Sequence, residues 1–181
     1  MAVPDAAGDG RQLAEEIVGS LARRHSTATV LFHHAVADLL GLGPTDHKCL
    51  DLLRERGLMT GSELAAITGL TTGAITGVVT RLDRAGYVRR EPDQHDRRKQ
   101  VLHLVPEGMR DLHAVFDPLR EDAATLLEGF DTHQLAAIAE FLARSTDFAY
   151  RRATLLRAQL LAAGGRTRPV ARTIAPTEEE A

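Results

Sequence analysis

The run from Leu64 to Leu82 constrains this chain more than any other stretch, because it meets three separate demands of two short helices crossing steeply at a tight turn. Such a crossing needs a small residue where the helices touch, and Ala65 supplies it. The turn needs a residue at ease with positive φ, which Gly69 provides. The second helix needs apolar anchors, and Ile75, Val78 and Leu82 recur at steps of three and four. Alone, the pattern also suits an ordinary helical hairpin. The residues after Leu82 narrow the choice.

After Gly86, Tyr87 to Glu91 reads as a short strand, Pro92 to Gln100 as a polar turn and Val101 to Leu104 as the returning strand. Tyr87 and Val88 suit a pleated surface, and Pro92 ends the pairing. A hairpin directly after the second helix is the wing of a winged helix. The expected recognition helix is therefore 71–85 and the expected wing 87–104. From Arg81 to Lys99 there are seven Lys or Arg against four Asp or Glu, a local +3 in a chain of formal net charge −3. The positive charge is concentrated where a phosphate backbone needs it. A solvated hairpin that happens to be basic is the alternative. Behind this helix pair, DNA binding is the stronger reading.

At 181 residues the chain has room for one good core with two lobes rather than two independent domains. Hydrophobic residues make up 44% but aromatics only 4%, with no Trp, which suits helix packed on helix. The single cysteine, Cys49, excludes an internal disulfide framework and fits a reducing compartment. No apolar run approaches the roughly 20 residues of a spanning helix. Residues 1–10 lack the charged-then-apolar order of a secretory signal, so a cytoplasmic protein without a membrane role is expected. No nucleophile–base pair, paired carboxylates, phosphate loop or metal quartet stands out, so neither an enzyme nor a cofactor or metal is expected.

The expected fold is mainly α with a small β-wing: a winged helix-turn-helix lobe plus long N- and C-terminal dimerisation helices. Residues 1–10 read as a flexible N-terminus, rich in Ala, Gly, Asp and Pro. Residues 11–43 read as the N-terminal dimerisation helix, with Leu13, Ile17, Leu21, Ala28, Phe32, Ala35 and Leu39 at helical spacing and Gly41 and Gly43 ending it. The lobe spans 44–105. Thr45 is expected to cap its first helix over a stripe of Cys49, Leu50, Leu52 and Leu53, while Thr60 with Glu63 has capping-box spacing and Thr71 or Thr72 caps the recognition helix. The C-terminal helices, 106–162, run from Pro106 to about Glu128 and, after Gly129, from the capping pair Asp131 and Gln134 onward. Residues 163–181 read as a disordered tail. The first and last helices, roughly 45 Å long at about 1.5 Å per residue, outrun what a winged lobe can cover. A second copy of the chain is the economical cover, burying on the order of 2,000 Å². A monomeric helical layer packed on itself is the alternative.

The order of elements and the wing sequence resemble the multiple-antibiotic-resistance regulator (MarR) family of winged-helix repressors over roughly residues 11–160. The sharpest match is Asp96-Arg97-Arg98, with Leu104 eight residues after the aspartate and Gly108 four after that, behind Arg81-Leu82 and Gly86-Tyr87-Val88-Arg89-Arg90. The resemblance implies a homodimer whose terminal helices interlock, each winged lobe reading half of a pseudo-palindromic double-stranded DNA operator. It implies a repressor released by a small molecule, often aromatic. It also implies that Arg98 is the wing-tip residue in the minor groove and that Asp96 orients it by an ion pair; the alternative is a salt bridge that merely closes the hairpin. A narrow minor groove concentrates negative potential, so a guanidinium suits it. Gly77 departs from relatives with a bulky or basic residue there, and with Gly73 it lets the backbone approach the groove. Base contacts are then expected from Thr72, Thr76 and Thr80, and phosphate contacts from Arg81 and Arg84, with Arg90 and Arg97 completing the basic surface. The threonines suit capping or plain exposure equally well.

For signal sensing, the expected effector-binding residues are His33, His34 and His47. Adjacent histidines on a helix point about 100° apart, so His33 and His34 do not naturally share an ion, and the spacing of the eight histidines offers no compact ligand set. Satisfied polar histidines at the lobe junction are the alternative. Cys49 falls in an apolar stripe, where a thiol is usually inert. From another class, a helical protein-interaction module using its winged domain without specific DNA binding competes with the regulator reading. Effector, operator and the choice between repression and activation are left open.

Overall fold

The computed structural model describes residues 6–163, so Met1 to Asp5 and the tail expected after 163 lie outside them. The N-terminal helix begins at Ala6, five residues ahead of the expected Arg11. It runs as α1 (Ala6–Glu16), a single π-helical turn (Ile17–Leu21) and α2 (Ala22–Leu39). Gly19 lies in the wide turn, and the Ser20 hydroxyl donates back to the Glu16 carbonyl at 3.4 Å. A side chain competing for a helical carbonyl favours such a break in the regular ladder.

The lobe is built from α3 (Pro44–Arg56), β1 (Met59–Thr60), α4 (Gly61–Thr68), α5 (Thr72–Arg84), β2 (Val88–Pro92) and β3 (Gln100–Leu104). Pro44 takes the first position of α3 behind an extended Gly43, so Thr45 lies inside the helix and does not cap it. Proline needs no donor there and presets φ, which leaves a threonine cap without a role. The other caps fall where expected. Thr60 accepts from the Glu63 N–H while Glu63 reaches back to the Thr60 N–H, and Thr71, not Thr72, caps α5 by accepting from the Ala74 N–H.

Between α4 and α5 the chain turns by 116°, and Gly69 sits at the bend with φ +75. An L side chain is strained in that conformation, so the helix-turn-helix depends on glycine there. The sheet is antiparallel in the order β1-β3-β2, with Met59 opposite Leu102 and Val88 opposite Leu104. A two-residue strand such as β1 is too short to show period-two alternation, which is why the sequence reads it only as a helix start.

Leu50, Leu53, Leu64, Ile75, Val78, Leu82, Val88, Leu102 and Leu112 close the core beneath this sheet and the three helices. Each such buried side chain contributes about 1.5–3 kcal/mol relative to exposure. Leu112 comes from α6 (Pro106–Ala124), which continues as a 3-10 turn (Thr125–Leu127). The reason for Gly108 is steric: a Cβ on it would lie 2.5 Å from the Gly86 carbonyl oxygen. The first turn of α6 rests directly on the backbone that launches the wing.

The chain divides into two compact units, one through Asp122 and one from Ala123. The second contains α7 (Thr132–Ala162), opened by the reciprocal Asp131–Gln134 cap. None of the 31 residues of α7 is buried.

Candidate nucleic-acid interface

On α5, Ile75, Val78, Val79 and Leu82 face the core, which leaves Thr72, Gly73, Thr76 and Thr80 on the exposed side. The Thr76 hydroxyl donates to the Thr72 carbonyl at 2.9 Å and the Thr80 hydroxyl to the Thr76 carbonyl at 2.8 Å. Their donors are spent, so what they offer a partner is an oxygen lone pair and a methyl group. Thr80 is further held, because Arg90 on β2 donates to its hydroxyl oxygen at 3.2 Å. This bond ties the wing to the recognition helix.

Along β2 the alternation sorts the charges. Arg89 pairs with Glu91 at 2.6 Å on one face, and His103, opposite Arg89 on β3, reaches the Glu91 carboxylate diagonally at 3.3 Å. Arg90, one residue off, turns to the other face and α5. At the wing tip Asp93 accepts the His95 and Asp96 N–H groups, both at 2.8 Å, and these bonds hold its carboxyl below the usual range. Lys99 N–H to the Asp96 carbonyl at 2.8 Å completes the turn. Asp96 differs from expectation. Its carboxylate accepts the backbone N–H of Arg98 at 3.2 Å, and among the described residues no ion pair joins the two side chains. The carboxylate is used in shaping the loop, so the guanidinium of Arg98 projects free of it. Arg97 and Arg98 are both exposed.

Thr72, Thr76, Arg98 and Lys99 line one groove of about 540 Å³ together with the start of α4 at Thr60 to Glu63. Lys99 and Ser62 are members that the sequence reading missed, because only the fold brings the α4 start beside the wing. Arg81 and Arg84 lie elsewhere, on a recess of about 610 Å³ with Gly41 to Asp46. Arg81 is moreover clamped: its Nε and Nη2 donate to the two carboxylate oxygens of Asp46, each at 2.7 Å. Asp46 is buried in the first turn of α3, where a helix N-terminus also favours negative charge. Such a planar fork fixes the angle between α3 and α5, so Arg81 is first a positioning residue.

Of the three histidines, the fold brings two together. The His33 and His47 rings lie 5.4 Å apart, while His34 is exposed on another face of α2. Burial lowers the pKa of both His33 and His47. Cys49 is fully buried in the lobe, and burial, with the Asp46 carboxylate adding to it, pushes its thiol up to about 11. A thiol so placed stays protonated and inert. Among the described residues, no single helix is long and apolar enough to cross a membrane.

Comparison with known proteins agrees with this geometry. Residues 40–99 match the MarR family model. An uncharacterised HTH-type transcriptional regulator of Bacillus subtilis (strain 168), YcgE, is 40% identical over 139 residues, spanning 77% of this chain and 90% of that protein. A MarR family protein from Bacillus stearothermophilus superposes with a TM-score of 0.61 at 24% identity, over 77% of this chain and 96% of its own. BpsR of Bordetella bronchiseptica, whose DNA binding is regulated by 6-hydroxynicotinic acid, gives a TM-score of 0.50 at 25% identity, over 74% and 95%.

Proposed function

The chain belongs to the MarR family of DNA-binding transcriptional regulators and is not an enzyme; on that premise we propose that it acts in the cytoplasm as a homodimeric repressor of a pseudo-palindromic operator, released by a small aromatic effector. The observation that carries the reading is the groove shared by Thr72, Thr76, Arg98 and Lys99, with α5 exposed beside a basic, hydrogen-bonded wing. The α5 threonines contact base edges in the major groove, Gly73 lets the backbone approach, and Arg98 enters the adjacent minor groove with Arg97 on the phosphates. Arg84 and Arg90 add positive charge along the flanks, and Arg81 holds α5 at its angle through Asp46. Dimerisation is supported by apolar side chains left exposed on the long helices, among them Leu31 and Leu39 on α2 and Phe148, Leu155 and Leu161 on α7. The aromatic effector is supported by the BpsR likeness, where the regulating molecule is an aromatic acid.

A gel shift across a salt series, using DNA upstream of the protein's own gene, tests this. Sequence-preferring binding that weakens with salt is expected. Arg98→Ala should weaken it and reduce the salt slope by about one, with dimerisation unchanged. Binding with no sequence preference would count against the operator reading, and an unaltered Arg98→Ala variant against the wing assignment. Aromatic acids that raise the melting temperature and release the shifted DNA would identify the effector class.

A further inference from the structure

Three side chains from α2 and α3 converge on a half-buried point that the DNA-reading surface does not use. His47, in the second turn of α3, is 1% exposed, and among the described residues neither of its ring nitrogens has a hydrogen-bond partner. The Nδ1 of His33 on α2 is buried and unpartnered in the same way. Asp51, one turn beyond His47, sets its Oδ2 at 3.5 Å from His47 Nδ1 and 4.0 Å from His33 Nδ1. The three donor atoms all lie within 4.8 Å of one another. Aromatic rings flank the place: Phe32 stands edge-on to His33 at 5.3 Å, and Phe116 of α6 lies beside the His47 ring at 6.3 Å.

Native proteins seldom leave buried imidazole nitrogens without a partner, since an unmade hydrogen bond in the interior is costly. A cation takes up the lone pair that each neutral imidazole presents, at His33 Nδ1 and His47 Nδ1; His47 Nε2 then carries the N–H and is not one of its ligands. Two imidazoles and one carboxylate suit a d-block divalent cation; calcium and magnesium ask for more oxygens. Ligand atoms around a tetrahedral zinc with bonds of about 2.0–2.1 Å sit roughly 3.4 Å apart, so the Asp51–His47 edge of 3.5 Å nearly fits as it stands, while His33, 4.0 Å from Asp51 and within 4.8 Å of His47, has to move inward. The competitors for Asp51 are two cations, Lys48 Nζ at 3.2 Å from the same oxygen and Arg54 Nη1 at 3.9 Å from the other. Lys48 has a side chain 51% exposed, so it can yield that oxygen and remain solvated.

We propose that His33, His47 and Asp51 bind one zinc-class divalent cation that joins α2 to α3, in place of the effector role expected of the histidines. Three protein ligands leave a fourth position to water. The ion ties the long N-terminal helix to the same α3 whose Asp46 holds Arg81.

The test uses the full chain, stripped with a chelator and titrated with Co²⁺ in the absence of DNA, so its result does not depend on the repressor reading. Visible d–d bands saturating near one Co²⁺ per chain, lost on adding Zn²⁺, are expected. His33→Ala and Asp51→Asn should each weaken Co²⁺ binding by about tenfold or more, while His34→Ala binds as the parent does. Circular dichroism and the metal-free melting temperature of each variant show that it is folded. Should His47→Ala not fold, His47→Phe keeps an aromatic ring against Phe116 without a ligand and should bind no Co²⁺. Absence of d–d bands in the parent chain, or binding by His33→Ala and Asp51→Asn as tight as the parent's, would overturn the site.

Discussion

Arg81 and Asp46 make one ion pair but keep very different amounts of water, with side chains 57% and 4% exposed. Removing the arginine strands a buried carboxylate, whereas removing the aspartate releases a guanidinium that is already half solvated. Arg81→Ala is therefore expected to cost about 3 kcal/mol of stability and Asp46→Ala about 1 kcal/mol, read from urea unfolding. Equal costs would mean that the carboxylate rehydrates when its partner leaves. The threonines of α5 carry a related lesson. With their hydroxyl hydrogens directed at carbonyls one turn back, Thr76 and Thr80 have oxygen lone pairs and methyls left to offer, so under the proposed DNA reading they are expected to favour amino donors and thymine methyls over base acceptors.

Two glycines weaken α5 as an element, and their surroundings differ. A Cβ at Gly73 would meet nothing within 4 Å, while one at Gly77 would lie 3.3 Å from Arg81 Nη1. Gly73→Ala should therefore raise stability by roughly the full helix-propensity difference of about 1 kcal/mol, and Gly77→Ala by less, since it presses on the clamped guanidinium. Thermal melts of the two variants check the order. At the head of α4, the bonds from Thr60 to the Glu63 carboxylate lower its pKa from the ordinary 4.5. A carboxyl whose pKa is lower folded than unfolded stabilises above the unfolded value and loses that contribution as pH falls through the folded one. The difference in melting temperature between the parent and Glu63→Gln should hold steady above pH 4.5 and shrink below it. A difference that grew on acidification would contradict the capping box.

As a whole molecule the chain spends its apolar residues unevenly. The winged lobe closes a core, while α7 leaves Phe141, Leu142, Phe148, Leu155, Leu156 and Leu160 in water. A helix of 31 residues with that surface needs a partner to be stable, and in a homodimer the partner is a second copy. A chain ended after Phe141 is expected to sediment as a monomer and to bind operator DNA at least about tenfold more weakly, because two linked half-sites become one. Sedimentation and gel shift on the same sample check both effects. A DNA-competent monomer would overturn the dimer.

Local chemistry determined much of this in advance. Capping pairs such as Thr60–Glu63 and Asp131–Gln134, the bend at Gly69 and the wing hairpin act between residues a few positions apart, so composition and spacing reveal them. Gly108 was legible as part of a spacing, but its reason, the Gly86 carbonyl against it, was not. Pairings across the chain stayed hidden: Asp46 with Arg81, the two-residue β1 against β3, Lys99 beside the start of α4, and His33 near His47 and Asp51. Each of these joins residues whose separation along the chain carries no period and no motif. Their proximity comes from how the helices pack, and packing is decided by the shape of the whole core rather than by any segment within it.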